Sequence, residues 1–456
     1  MSNSANIEEL SQKKISKLLW QYALPAIVGT IVNTLYNIID GVFIGHWVGK
    51  EALSALGVIL PIMNLTAAVG MLVGAGSASR MSIYLGLKNR EKAEQIAGTS
   101  FVLTLALSGS MIAAILIFLK PILMFAGASE VTYPYARDFL VIFLPGNLFL
   151  SMCFNFNNMM RASGYPFKAM YTMLISVIAN IVLAPIFILG FGWGMKGAAA
   201  ATFLSMVISF CFVMHHFLNK GSYIRLRKIH MRFRADIVKG IVSIGLAPFS
   251  MQVAASVVVV FYNSQLRAYA GLAGATGDDA IAAFSNANRL MMLVTMIVMG
   301  LTQGMQPIVG YNYGAKNYAR VKETLIYTIK VATCITSLGF VLGFFFPEVF
   351  VKAFSADAEI TSLSAVALRC LTLAYVIVGF QIVTSNFFQC IGMASKSIFL
   401  SVSRQFLFLL PAMFILPTFF GLNGVWLSAA VSDTLSAITA GCMLIWQIKK
   451  FNKALV

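Results

Sequence analysis

One carboxylate, Asp40, lies inside a long apolar stretch of the sequence, and residues 18–49 contain no other Asp, Glu, Lys or Arg. Asn33, Asn37 and Asp40 follow an i, i+4, i+7 spacing, which places their side chains on one face of a helix. Burial disfavours the ionised form of a carboxylate. The pattern therefore suits an acid that takes up and releases a proton near neutral pH, or that binds a cation when it is ionised.

A plainer role for Asp40 is a hydrogen bond that holds neighbouring helices together. A charged side chain at the centre of a bilayer costs at least about 2.5–3.5 kcal/mol, so we favour a functional role over a purely structural one. Pro25 precedes Asp40 on the same predicted helix and cannot donate a backbone hydrogen bond, so we predict a bend there. A change of charge at Asp40 would then alter the shape of the helix.

A second acid, Asp433, also falls well inside a predicted apolar span. Arg289 lies at a similar predicted depth, because both residues are about ten positions from the same face at about 1.5 Å per residue. Either charge alone would be costly in hydrocarbon, so we predict a buried ion pair between Arg289 and Asp433. A neutralised Asp433 is a poor proton carrier, and we expect the pair to be structural or to act in gating.

Transmembrane helices are the elements expected to position these residues. The chain is 59% hydrophobic and 11% charged, whereas a soluble protein carries about 25% charged residues. Its apolar runs are about 20 residues or longer, which suits helices that cross a bilayer, and they lack the alternation of barrel strands. We predict an all-α membrane protein with twelve spans, at about residues 17–46, 53–79, 97–126, 135–160, 166–191, 195–218, 237–268, 280–309, 322–347, 363–388, 397–420 and 424–448.

The two halves of the chain are similar in sequence. ALSALGVILPI at 52–62 resembles AIAAFSNANRL at 280–290, an offset of 228 residues. YLGLKNREKAEQ at 84–95 resembles NYGAKNYARVKE at 312–323 with the same offset. Each half holds six predicted helices, an even number, so both halves enter the membrane in the same direction.

This repeat predicts two six-helix bundles related by a pseudo-twofold axis along the membrane normal. We place the first bundle at residues 1–218, a basic cytoplasmic linker at 219–236 and the second bundle at 237–456. Two such bundles flank a cleft, and rocking one against the other would expose the cleft to each side in turn. That is the geometry of a secondary transporter.

The net charge of +17 does not point to nucleic acid. When the predicted helices alternate across the membrane, 25 of the 33 Lys and Arg residues fall on the side of the N-terminus. This asymmetry follows the positive-inside rule and needs no acidic partner. We therefore expect cytoplasmic N- and C-termini and, because the loops are short, a bacterial inner membrane.

No motif indicates a cofactor or a metal. The small residues of VGAGSAS at 73–79 are better explained by close helix packing than by phosphate binding. GMASKS at 392–397 lacks the glycine spacing of a nucleotide-binding loop, and the histidines have no converging partners for a metal. The 24 Met and 36 Phe residues include candidates for lining an adaptable cavity.

Segments along the chain, taken in order, resemble those of the multidrug and toxic compound extrusion (MATE) family. The resemblance covers nearly the whole chain, and its specificity lies in the order of segments, the twelve spans and the duplication. In the first half it rests on LPAIVGTIVNTLYNIIDGVFIG, ALSALGVILPI, LGLKNREKAEQ and RASGYPFKA. In the second half it rests on GMQPIVGYNYGAKNYARVKE, SRQFLFLLPA and FGLNGVWLSAAVSD.

The resemblance implies an antiporter that exports bulky, often cationic, organic compounds in exchange for inward protons or sodium ions by alternating access. It implies that Asp40 is the coupling acid on the first helix. Asn180 on the fifth helix and Thr202 on the sixth match the residues that assist it, and Pro25 matches the hinge. We expect the lipid bilayer, a small organic substrate and the coupling cation to be the partners of a monomer.

The chain departs from the family pattern at one position. Many members carry an Asp four residues after the Asn on the fifth helix, whereas this chain has Ala184. Sodium, like other hard cations, needs several oxygen ligands. The body of the seventh helix, LAPFSMQVAASVVVVFYNSQ, also lacks a carboxylate. We therefore expect coupling to protons in preference to sodium.

Three alternative functions suit the sequence less well. A flippase of the wider superfamily, moving a lipid-linked saccharide, would need cationic residues in the cleft, whereas the candidates here are an acid and amides. An intramembrane enzyme would need a nucleophile with a base, or a metal cluster, and neither is apparent. A receptor or channel fits a duplicated pair of bundles less naturally than a transporter does.

Overall fold

The computed structural model of the protein describes residues 2–271, 274–352 and 358–455, apart from the side chains of residues 2–6, 36–38, 50, 358 and 453–455. Within these ranges every regular element is a helix. The first half of the chain forms α1 Ser2–Gln12, α2 Ile15–Trp47, α3 Lys50–Gly86, α4 Arg90–Ile117, α5 Leu119–Phe125, α6 Thr132–Ala162, α7 Pro166–Pro185 and α8 Gly194–Leu218. A π-helical turn, Ile186–Gly190, follows α7.

The second half repeats this arrangement. It forms α9 Ala235–Ala270, α10 Gly277–Gly314, α11 Tyr318–Phe345, α12 Pro347–Val351, α13 Ala358–Thr372, α14 Tyr375–Cys390, α15 Ala394–Val402 and α16 Leu410–Leu455. A π-helical segment, Ser403–Leu409, joins α15 to α16. A short 3₁₀ turn, Lys228–His230, lies in the linker between the halves.

Ten spans in the described part of the chain are long and apolar enough to cross a membrane. Helices α13 and α14 supply an eleventh as a pair bent by 52°. The last of the ten, Ala394–Asn452, is 59 residues long. As a straight helix it would measure about 89 Å, roughly three times the thickness of a bilayer's hydrocarbon core.

A break at Gly421 divides this last span. Its φ of 56° and ψ of −136° are not helical, and glycine adopts a positive φ without steric cost. Arg404 and Asp433 lie on either side of the break, yet their side chains are 2.7 Å apart. The chain therefore folds back near Gly421 into two antiparallel helices, which completes the twelve predicted spans and confirms the predicted all-α membrane fold.

The two halves pack together through equivalent contacts. We call the membrane side on which α2 begins the near side, and the side on which it ends the far side. Helix α2 packs against α10, and α9 packs against α3. Under the repeat α2 corresponds to α9 and α3 to α10, so these two contacts are copies of each other. The parallel repeat predicted from the sequence is thus present in three dimensions.

Helices α3 and α10 cross on the axis of this repeat. A Cβ placed on Gly86 would meet the carbonyl oxygen of Tyr311, and a Cβ on Gly314 would meet that of Ile83. Both residues of the second contact are 228 positions from those of the first. Glycine at both places lets the two backbones approach closely, as small residues do between membrane helices.

The apolar core differs between the two sides. On the near side one cluster contains Leu18 and Met81 of the first half together with Met305 and Phe387 of the second half. A smaller cluster there joins residues of α3 and α4 to residues of α9. On the far side each half has its own cluster, with Ile44, Phe139 and Ala198 in one and Tyr262, Leu266 and Trp426 in the other. The halves therefore share a core on the near side and have separate cores on the far side.

The linker is attached to the first half through a buried acid. Glu94 on α4 is 3% exposed. Its carboxylate lies 3.3 Å from Arg90 Nε, 3.2 Å from Arg227 Nε and 3.9 Å from His230 Nε2. Nearby, the Thr99 hydroxyl donates to the backbone carbonyl of Arg232 at 3.1 Å. These contacts hold the chain between α8 and α9 against the near end of α4.

Candidate functional site

Asp40 is buried in the far half of α2, with 7% of its surface exposed. Its Oδ1 atom has no hydrogen-bond partner among the described residues. The helix that carries it, α2, packs against α7 and α8 of the first half and α10 of the second. An unpaired carboxyl oxygen in such a place is costly. The arrangement suits a group that binds a proton or a cation.

Asn180 and Thr202 lie on two helices that neighbour α2. Asn180 is fully buried on α7, and its Nδ2 donates to Thr202 Oγ1 on α8 at 3.1 Å. Asn180 Oδ1 has no hydrogen-bond partner among the described residues. The structure therefore brings Asn180 and Thr202 into direct contact, with an amide oxygen left available. No hydrogen bond between described atoms joins this pair to Asp40.

The remaining residues on the α2 face are less fully described. Asn33 is half-buried. Asn37 lies in the helix, but its side chain is outside the described part of the structure. Pro25 is buried, and α2 continues as one helix from Ile15 to Trp47 through it. The hinge role of Pro25 stays a prediction.

The residue at position 184 is an alanine, and the side chains around it are also apolar. Ala184 on α7 is fully buried and belongs to the far-side cluster of the first half, together with Ile44 of α2. Packing thus occupies the place at which a second carboxylate would stand in many proteins of the family resembled.

The structure gives Asp433 a different partner from the predicted Arg289. Asp433 is 4% exposed, and its Oδ1 accepts a hydrogen bond from Arg404 Nε at 2.7 Å. Arg404 lies in the π-helical segment Ser403–Leu409, which packs against α16 within the hairpin around Gly421. Equal depth in the membrane made Arg289 plausible. Depth does not fix the direction in which a side chain leaves its helix, and the adjacent arm of the hairpin supplies Arg404 as the partner of Asp433.

A cavity of about 180 Å³ lies between the two halves. Helices α3, α6 and α7 line it from the first half, and α9, α10, α14 and the α15 region line it from the second. Four methionines and one phenylalanine give the cavity an apolar part: Met71, Met173, Met251, Met299 and Phe154. The expectation that methionines include cavity-lining residues agrees with this.

The polar part of the cavity consists of amides, hydroxyls and two arginines. Seven amide side chains line it: Asn158, Gln303, Gln306, Gln381, Asn386, Gln389 and Gln405. The arginines are Arg161 and Arg404, and none of the described lining residues is acidic. Asp40, Asn180 and Thr202 are not among the lining residues. The coupling candidates and the cavity are therefore separate features.

One amide in the cavity wall also bridges the halves. Gln306 of α10 donates from Nε2 to Ser79 Oγ on α3 at 2.9 Å and to the Ala75 carbonyl at 3.3 Å. Both partners lie toward the near end of α3. The cavity is therefore bounded on the near side by a direct contact between the halves.

Sequence reasoning missed both arginines of the cavity. Arg404 falls within the predicted span at 397–420, so a positive charge inside an apolar run was the available signal. Arg161 follows the end of the predicted span at 135–160 and resembles an ordinary interfacial arginine. Arg161 is buried because of the way α6 packs against neighbouring helices, and this packing cannot be predicted from the sequence.

Comparison with known proteins identifies relatives across most of the chain. The family model MatE matches residues 25–186 and 246–415, one segment in each half. A multidrug export protein, MepA from Staphylococcus haemolyticus, is 28% identical over 430 residues, which cover 94% of this chain and 93% of the relative. The two matched segments of the family model agree with the internal repeat.

Solved structures share the fold over nearly the full length. A crystal structure of a MATE protein in a bent conformation superimposes with a TM-score of 0.92 at 26% identity, covering 98% of each chain. A MOP superfamily transporter from Pyrococcus furiosus, for which a reversed polarity of the binding pocket is taken to suggest a different function, gives a TM-score of 0.90 at 27% identity. This second match covers 97% of the present chain and 98% of the other.

Proposed function

This chain belongs to the MatE family, and from that premise we propose that it is a multidrug efflux transporter that works as an antiporter. It exports organic compounds from the near side to the far side in exchange for an inward-moving cation. We propose no enzymatic reaction. The near side is the cytoplasmic side of a bacterial inner membrane, because it carries most of the Lys and Arg residues.

The division of the apolar core is the observation that most supports this proposal. The halves share a core on the near side and have separate cores on the far side. Two bodies joined at one end and separate at the other bound a cleft that opens toward the separate ends. Alternating access requires this arrangement to exchange with its inverse.

The moving bodies in this proposal are residues 1–218 and 237–456, joined by the linker 219–236. The cavity between them takes side chains from both. A bound substrate therefore contacts both bodies, and its access to each side of the membrane changes when one body rotates against the other. One chain contains the whole cavity, so the protein acts as a monomer.

Asp40 is the proposed coupling residue. It is buried, and its Oδ1 atom lacks a partner among the described residues. Protonation would remove a charge from α2, the helix that contacts both α7 of the first half and α10 of the second. A change at Asp40 is thus positioned to alter the packing between the halves. Pro25, on the same helix, is the proposed hinge.

The coupling ion is proposed to be the proton. Asn180, Thr202 and Asp40 together offer a single carboxylate, and the buried Ala184 adds no oxygen. A proton needs one basic oxygen, whereas a sodium ion needs several ligands. Within α9 the one acid, Asp236, lies in the first turn and pairs with Lys92 at 3.3 Å. A sodium site on α9 is therefore not supported.

The energetic scale is adequate for export. A univalent cation that moves inward across 100 mV releases about 2.3 kcal/mol. At a tenfold change in concentration per 1.4 kcal/mol, this supports a gradient of roughly fiftyfold for a neutral substrate. No nucleotide is needed.

A transport assay in inverted vesicles tests the proposal. Ethidium serves as a cationic dye and carboxyfluorescein as an anionic dye, under an imposed proton or sodium gradient. We expect the proton gradient to drive uptake of at least one dye. Asp40→Asn abolishes this uptake, whereas Asp138→Asn, which changes a half-buried acid of α6 that pairs with Lys196, leaves it intact.

A different experimental outcome would contradict each part of the proposal. Full activity of Asp40→Asn would remove the assigned role of that residue. Dependence on sodium alone would overturn the choice of ion. Absence of uptake of both dyes under both gradients would contradict the antiport itself.

A flippase for a lipid-linked saccharide is the second candidate function. The sequence favoured a cleft of acid and amides, which suits cations. The cavity instead contains Arg161 and Arg404 and no acid among its described lining residues. A diphosphate group would suit these arginines. Movement of a fluorescent lipid diphosphate between leaflets of proteoliposomes, without uptake of either dye, would favour this function.

A further inference from the structure

Arg161 occupies an unusual place for a charged residue. It lies in the last turn of α6, is 4% exposed, and contributes to the wall of the cavity between the halves. Its Nη2 donates to Asn158 Oδ1 at 2.6 Å. A neutral amide satisfies part of the guanidinium but leaves its charge unbalanced. Among the described residues no carboxylate forms an ion pair with Arg161.

Arg161 is the one cationic residue of the described cavity wall that has no ion-pair partner among the described residues. Arg404 is neutralised by Asp433, with 2.7 Å between Nε and Oδ1. The described lining residues include neither lysine nor acid. The wall of the cavity therefore carries one net positive charge, and this charge belongs to Arg161.

The end of α6 supplies a partial explanation for Arg161. Carbonyl groups at a helix C-terminus carry about half a negative charge in total, and they favour a nearby cation. Such a dipole stabilises lysine and arginine alike. It does not explain why the guanidinium is buried in the cavity wall, where an unpaired charge is expensive. A bound ligand with a negative charge would offset the free-energy cost of burying this guanidinium.

From these contacts we propose that the cavity binds an amphipathic organic anion, with its carboxylate or phosphate group on Arg161. This inference rests on the proposed transport role of the cavity and specifies the substrate class. The guanidinium offers the paired N–H groups that match such an anion, and Asn158 offers an additional amide beside it. The apolar body of the ligand would contact Phe154, Met173 and Met299.

The position of the cavity makes this assignment consistent with export. Met299 and Met251 belong to the second half, whereas Arg161 and Phe154 belong to the first. An anion held by Arg161 would therefore have its head on one body and part of its tail on the other. The membrane potential, negative inside, also favours the outward movement of an anion.

Binding to the full-length protein purified in detergent tests the charge preference without any ion gradient. The probes are 1-naphthyl phosphate, 1-naphthylmethylamine and 1-naphthol, which share one ring system, together with inorganic phosphate, which lacks it. We expect 1-naphthyl phosphate to bind at least tenfold more tightly than each of the other three.

Variants locate the site. Arg161→Gln should weaken binding of 1-naphthyl phosphate by about 10- to 100-fold, since a hydrogen-bonded charge is lost. Arg161→Lys keeps the charge and the dipole interaction but not the planar fork, so its loss should be smaller. Arg137→Gln makes the same charge change at the exposed start of α6 and should leave binding unchanged.

The results separate this inference from the proposed function. Preferential binding of the amine, or equal binding of the phosphate ester to Arg161→Gln and the unaltered protein, would overturn the inference. Equal affinity for inorganic phosphate would overturn the amphipathic part of it. Proton-driven uptake of ethidium could still be observed in either case, and the antiport would then stand without an anionic substrate. Circular dichroism of Arg161→Gln and Arg161→Lys identifies any loss due to misfolding.

Discussion

Gly86 of α3 and Gly314 of α10 face each other's helices across the near side of the molecule. A side chain on Gly86 would overlap the carbonyl of Tyr311, and one on Gly314 would overlap the carbonyl of Ile83. Because the two contacts are copies under the internal repeat, they form one symmetric crossing. This crossing brings the backbones of the two halves into close approach.

Enlarging either glycine should loosen the near side. Gly86→Ala and Gly314→Ala each add a methyl group where backbone atoms already lie, and overpacking costs about 1–3 kcal/mol. We expect each variant to lower the melting temperature and to increase maleimide labelling of the buried Cys390 in a protein that retains only that cysteine.

Gly57→Ala is the matched control on the same helix. No atom lies within 4 Å of a Cβ at Gly57, and alanine favours a helix by about 1 kcal/mol over glycine. It should leave the labelling of Cys390 unchanged. Labelling of Gly86→Ala no faster than that of Gly57→Ala would show that the crossing does not close the near side.

The hydrogen bond between Asn180 and Thr202 should matter to transport more than to stability. Asn180→Ala removes the donor to Thr202 and the amide oxygen that has no partner among the described residues. We expect transport driven by a proton gradient to fall at least tenfold. Thr202→Val removes the hydroxyl that accepts from Asn180 but keeps the amide, and it should have a smaller effect. Both rates are measured by dye uptake into inverted vesicles.

Asn386→Ala provides the comparison for this pair. It truncates an amide of the cavity in the second half, away from Asp40. If Asn386→Ala reduces the dependence on the proton gradient as much as Asn180→Ala does, the coupling role of Asn180 is not specific.

Asp433 should be coupled energetically to Arg404. Removing one member of a buried pair leaves the other charge unbalanced, at a cost of up to about 3–5 kcal/mol. Arg404→Gln and Asp433→Asn should each lower the melting temperature by several degrees. The double variant should lose less than the sum of the two, as a double-mutant cycle would measure.

A second double-mutant cycle tests the predicted pairing of Arg289 with Asp433. Arg289→Gln combined with Asp433→Asn should give additive losses, because Asp433 bonds to Arg404 instead. A coupling between Arg289 and Asp433 as large as that with Arg404 would restore the pairing that the sequence suggested.

Glu94 should hold the linker in place. Glu94→Gln removes the charge that faces Arg90, Arg227 and His230. We expect trypsin to cleave the linker several-fold faster, because its basic residues are then released from α4. Cleavage is followed by gel electrophoresis of the folded protein in detergent.

Glu91→Gln is the control for the linker. Glu91 is exposed, and its described contact is with Gln95, one turn along α4. Its substitution should leave the cleavage rate unchanged. Equal rates for Glu94→Gln and the unaltered protein would mean that other contacts, such as the Thr99 hydrogen bond, hold the linker.

The membrane fold could be predicted because its signals are local in the chain. An apolar run of sufficient length specifies a span, since every backbone group must bond within the helix when water is absent. The repeat at an offset of 228 residues is likewise visible by comparing segments. Together these features indicated the twelve helices, their two sets and the family. Asp40 was found because an acid in an apolar run is rare.

The partners of charged residues could not be predicted in the same way. Position along a helix gives the depth of Asp433, because each residue advances about 1.5 Å. It does not give the direction around the axis or the order of neighbouring helices. The hairpin at Gly421 decided both, and it placed Arg404 beside Asp433.

The sequence by itself determined that this chain spans a membrane as two related bundles with an acid buried in the first helix. Only the tertiary structure decided which residues line the space between the bundles. Arg161 shows the reason: its charge is local information, whereas its burial and its lack of an ion-pair partner among the described residues arise from helices far apart in the chain.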